Sequence, residues 1–92
     1  MNRPHSAEAS RIVELVGIMR GWLAGESPMV QSAVLADLLA TFLSGHVILD
    51  DEAATDALRE EHLLLHLDLV RQLIPVNYQM LVEPKLKEQG LI

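Results

Sequence analysis

His62 and His66 stand four residues apart in the run Glu60-Glu61-His62-Leu63-Leu64-Leu65-His66-Leu67-Asp68. On a helix that spacing stacks the two imidazoles one turn above the other, as in pairs that share a metal ion. A zinc-type site needs three or four protein donors, and the neighbouring residues do not supply them. The position after His62 holds Leu63 rather than the general-base Glu of zinc proteases, and no Glu-x-x-His pair of a di-iron bundle occurs. Glu61 and Asp68 fall a quarter-turn or more away from both rings on a helical wheel. Further ligands have to come from His46, His5, Asp37 or a second subunit. A divalent metal at His62 and His66 is one reading. The plainer one places both imidazoles at the border of an apolar stripe, hydrogen-bonded to a carbonyl or carboxylate, and a pH-responsive interface is a third, because histidine titrates near neutrality.

Other chemistry is thinly represented. Ser6, Ser10, Ser27, Ser32 and Ser44 include no Gly-x-Ser-x-Gly elbow, and there is no phosphate-cradling glycine loop or dinucleotide fingerprint. No serine has a sequence-local base except Ser44 near His46, which reads as an ordinary helix end. The expectation is a protein without catalytic residues and without a cofactor, apart from a metal at the two histidines. Gly17, Gly21 and Gly25 recur every four residues, a spacing that lets a second backbone approach closely or simply weakens and ends a helix.

Charge narrows the partners. The chain carries 13 acidic and 7 basic residues, a net charge of -6. Residues 26–62 hold Arg59 as their one base among eight acids, from Glu26 and Asp37 to Glu60 and Glu61. Phosphate-backbone binders draw affinity from clustered Lys and Arg, so nucleic acid is not expected unless Arg3, Arg11, Arg20 and Arg71 converge. The acids suit helix faces and helix N-termini, or an acidic surface that meets a basic protein. Absence of cysteine excludes disulfides and thiolate metal sites. Glu8 and Glu14 interrupt any apolar leader, so no secretory signal is expected and a cytoplasmic location is the default. Met29–Leu49 has the length of a membrane span, but Asp37 near its centre and the acidic flanks Glu26 and Asp50-Asp51-Glu52 argue against one.

The elements that position these residues follow from an aliphatic composition. Half of the 92 residues are hydrophobic and 3% aromatic, which is enough apolar matter to fold. For a compact chain of this mass, area scaling gives a folded surface of about 5,300 Å² against about 14,800 Å² unfolded, so roughly two-thirds buried. The apolar period is helical throughout. Helix one, about 6–24, gathers Ile12, Leu15, Val16, Met19, Trp22 and Leu23 on one face. Helix two, about 28–44, starts with Ser27 as cap and Pro28 at the first position and stops at Gly45 in the left-handed conformation. Helix three, about 51–74, opens at Asp50 or Asp51, with Leu49 stapling back on Ala54, and ends or kinks at Pro75. Val76–Met80 alternates like a strand but has no partner strand, so it reads as helix. Pro84 starts a last turn, and Gly90 closes it with Leu91 set on Leu86 in a Schellman ending.

The sequence therefore predicts an all-α single domain over 1–92, with 1–5 disordered and 84–92 a short helix or arm. Three long helices and a proline-interrupted C-terminal segment would form a small bundle completed by homodimerisation. The apolar surplus locates the interface: Val34, Leu35, Leu38, Leu39, Phe42 and Leu43 on helix two, with Leu65, Leu69 and Leu73 on helix three. The function expected is a small protein-interaction module, an adaptor, regulator or assembly chaperone with an aliphatic interface and an acidic face; the alternative is a metal- or small-ligand-binding bundle built on His62 and His66.

Overall fold

The computed structural model describes residues 4–92, with side chains from Ser6 onward. Its elements are α1 (Pro4–Leu23), α2 (Pro28–Ser44), α3 (Glu52–Asn77), a π-helical turn (Tyr78–Val82) and α4 (Glu83–Glu88). No strand occurs among the described residues, so the chain is all-α and the alternating stretch Val76–Met80 is helical. The sequence predicts disorder over 1–5; residues 1–3 lie outside the described residues, while Pro4 and His5 already belong to α1. Contacts group the chain into two units, Met1–Leu38 and Leu39–Ile92.

In the first unit the turn between the helices is fixed by polar groups rather than by apolar packing. Gly25 takes φ +87°, a conformation open to glycine at no steric cost, and the Glu26 N–H reaches the Leu23 carbonyl at 3.1 Å. The Ser27 hydroxyl accepts from the Val30 N–H at 3.2 Å, so the predicted cap is present and Pro28 follows at the first helical position. A contact not foreseen completes the turn. The Gln31 amide donates to the carbonyls of Leu23 at 2.8 Å and Glu26 at 3.1 Å, satisfying acceptors that the end of α1 would leave open. The apolar face of α1 is uncovered, with Trp22 74% exposed.

Gly17 and Gly21 meet nothing: a Cβ built on either has no neighbour within 4 Å. Glycine inside a helix is disfavoured by about 1 kcal/mol relative to alanine, so Gly17→Ala and Gly21→Ala are each expected to raise stability by about 1 kcal/mol in thermal or urea unfolding. A loss of stability would show instead that another backbone is seated on that edge.

The second unit departs from expectation at its first turn. The sequence predicts that Gly45 ends α2 in the left-handed region, yet among the described glycines positive φ occurs only at Gly25 and Gly90. Helix α2 closes through right-handed bonds, the Gly45 N–H to the Thr41 carbonyl at 3.3 Å and the His46 N–H to the Leu43 carbonyl at 3.1 Å. The left-handed position falls later, on Asp50 at φ 61°, a residue type that tolerates it. Asp51 then caps α3, its Oδ1 accepting from the Ala54 N–H at 2.9 Å. Leu49 does not form the expected staple; it is 83% exposed. Its place is taken by Thr55, whose hydroxyl accepts from the Ile48 N–H at 2.9 Å and donates to the Ile48 carbonyl at 3.1 Å.

Pro75 does not end α3, which runs on to Asn77. Proline deprives the helix of one N–H and crowds the carbonyl four residues back, and the irregularity surfaces one turn later as the π-helical turn, where the Glu83 N–H bonds the Tyr78 carbonyl five residues back. Pro84 sits in the first turn of α4. The ending is the predicted Schellman motif: Gly90 has φ +73°, the Gly90 N–H bonds the Lys87 carbonyl at 3.0 Å and the Leu91 N–H bonds the Leu86 carbonyl at 2.9 Å. Residues 52–88 are thus one helical run of about 55 Å.

The expected burial is absent. The chain exposes 7858 Å² against the roughly 5,300 Å² of a compact chain of its mass, so it buries about half of its unfolded surface rather than two-thirds. Among the described residues no apolar side chain is buried, and the buried residue is Thr55 at 7% exposure.

Candidate functional site

Three imidazoles and one phenyl ring meet within the second unit. His46 follows the last turn of α2, which carries Phe42, while His62 and His66 lie on α3. The His46 and His62 rings overlap with centroids 4.3 Å apart and planes tilted by 41°. Phe42 stands edge-on to His46 at 4.7 Å and against His66 at 5.0 Å, with His62 at 6.3 Å. Centroid separations of this size are those of interacting aromatic pairs.

Backbone carbonyls orient two of the rings. The His66 Nδ1 donates to the His62 carbonyl at 3.0 Å, and the His46 Nδ1 donates to the Phe42 carbonyl at 2.9 Å. A carbonyl only accepts, so in both rings the proton sits on Nδ1 and the lone pair on Nε2. That tautomer suits a metal ligand, but two rings sharing an ion at ~2.0–2.1 Å meet edge to edge, whereas His46 and His62 overlap. Among the described residues no group of three His, Cys, Asp or Glu side chains is placed to hold a metal ion. The His5 side chain, a candidate further ligand, lies outside the described residues.

Arg59, one turn before His62, ties the same pair of helices. Its Nη2 donates to the Ser44 carbonyl at 2.8 Å, placing a cation on an open acceptor at the C-terminus of α2, where the helix dipole favours positive charge. Its Nε is buried without a hydrogen-bond partner. Arg59 also borders a hollow of about 650 Å³ lined by Asp50, Asp51, Glu52 and Asp56, so the acidic block of the sequence becomes a local acidic surface around one guanidinium. The signal for Arg59 in the sequence is its isolation among acids; Thr55 carries none.

The aliphatic candidates are mostly uncovered. Leu39 and Leu43 are half-buried, and Val34, Leu35, Leu38, Phe42, Leu65, Leu69 and Leu73 are exposed. Beyond them the structure shows an apolar groove of about 470 Å³ where α3 runs into the π-helical turn, lined by Val70, Leu73, Ile74, Tyr78, Leu81 and Val82, with Asn77 among them. Of these, Leu73 alone is among the expected interface residues, since the groove depends on a helical path through Pro75. No helix among the described residues is long and apolar enough to cross a membrane. Comparison with protein-family models, curated proteins and solved structures finds no match for this chain.

Proposed function

We propose that this chain is a small helical protein-interaction module that works as a homodimer, its aliphatic helix faces completed by a second copy and its acidic surface available to another protein. One observation carries the reading: a chain that is half hydrophobic buries no apolar side chain among its described residues. Apolar burial is the dominant favourable contribution to folding, about 25 cal/mol per Å², and helices owe most of their stability to packing of an amphipathic face. A chain with this much uncovered aliphatic surface acquires that packing from another polypeptide. The acidic hollow around Asp50, Asp51, Glu52 and Asp56 adds a charged surface that favours a basic partner.

Sedimentation equilibrium at micromolar concentration tests the proposal. The expected mass is about 20 kDa, twice the 10.2 kDa of the chain. A cooperatively folded species of chain mass would overturn it.

A further inference from the structure

We propose that the groove at the junction of α3 and the π-helical turn is the seam of that dimer, occupied by the same groove of a second copy in antiparallel two-fold register about Asn77. This inference rests on the homodimer reading and adds to it a location and a register.

Area selects the occupant. The chain exposes roughly 2,500 Å² more than a compact chain of its mass, so two copies together have about 5,000 Å² to remove from water, within the range of obligate homodimer interfaces. The groove is the most apolar of the hollows on the second unit, formed by Val70, Leu73, Ile74, Tyr78, Leu81 and Val82 on consecutive turns. The π-helical turn contributes to its form: the extra residue between Tyr78 and Glu83 keeps Leu81 and Val82 on the face begun by Val70 and Leu73.

Polar residues set the register. Asn77 is half-buried in the middle of this apolar lining, where a lone amide is unfavourable unless it is hydrogen-bonded. On a two-fold axis two copies of Asn77 face each other, and an amide offers both donor and acceptor to its mate, the device by which a single buried Asn fixes register between paired helices. The same axis brings residues six before and six after Asn77 opposite one another, so Arg71 of one copy faces Glu83 of the other, once at each end of the groove. A parallel pairing would set Arg71 against Arg71.

The absence of native cysteine makes a direct test available. A residue on a two-fold axis meets its own mate, so Asn77→Cys is expected to oxidise to a disulfide-linked dimer, seen on non-reducing gels. Ser10→Cys and Glu52→Cys, away from the axis, are expected to remain unlinked under the same mild oxidation. Arg71→Glu is expected to weaken the dimer at least tenfold in sedimentation, and adding Glu83→Arg is expected to restore it. A dimer in sedimentation whose Asn77→Cys variant does not cross-link, or cross-links no faster than the two controls, overturns the seam while leaving the homodimer reading standing. A folded monomer overturns both.

Discussion

Replacing Thr55 by valine is expected to destabilise the chain by about 2 kcal/mol in urea or thermal unfolding. Valine keeps the shape of the side chain and removes the hydroxyl that both accepts the Ile48 N–H and donates to the Ile48 carbonyl. Each such bond contributes about 1 kcal/mol net, and a backbone group left unpaired away from water costs about 1–3 kcal/mol. Thr55 is the buried residue of the described chain, so water has least access to repair the loss there. Thr55→Ser is the informative companion. It retains both hydrogen bonds and gives up one methyl, for which about 0.8 kcal/mol is the expected loss. Equal losses in the two variants would mean that the methyl rather than the hydroxyl holds the connection between α2 and α3.

Pro75→Ala is expected to act in the opposite direction and raise stability by about 2–3 kcal/mol. Proline inside a helix is disfavoured by about 3 kcal/mol relative to alanine, and alanine restores an N–H that the Arg71 carbonyl can accept. Pro75 lies inside α3, so the full effect is available. The gain should come with a second effect. If the π-helical turn accommodates the irregularity that proline introduces, a regular α-helix through 78–82 rotates Leu81 and Val82 away from Val70 and Leu73, and self-association weakens while the melting temperature of the isolated chain rises. Circular dichroism against temperature at several protein concentrations reads both effects.

Local causes are legible in this sequence and distant ones are not. Ser27, Pro28 and Asp51 can be read because a cap bonds an amide three residues away. The Schellman ending can be read for the same reason, since Leu86, Lys87, Gly90 and Leu91 complete it among themselves. Gly45 misleads because glycine permits the left-handed conformation without requiring it, and the bonds at the end of α2 close right-handed. Pro75 misleads because its clash competes with a long helix on both sides, and the helix wins. The spacing of His62 and His66 is plain in the sequence, but the overlap of His62 on His46 depends on how the segment 45–51 brings α3 back toward α2, a matter of Asp50, Thr55 and Arg59 rather than of the histidines. Burial is the least legible quantity. Hydrophobic periodicity states which faces seek cover, and whether one chain can cover them is a question of area that the pattern leaves open.

The scarcity of contacts between distant parts of the chain has a kinetic consequence. Helices stabilised by neighbours three to five residues away form in about 0.1–1 μs, and proteins dominated by such local contacts fold fast. A two-copy assembly built from them is then governed by encounter, with an association rate of about 10⁵–10⁷ M⁻¹s⁻¹. Refolding of this chain is thus expected to be second order, its half-time shortening in proportion to protein concentration. The level at which the chain is synthesised would decide how much of it is folded at any moment.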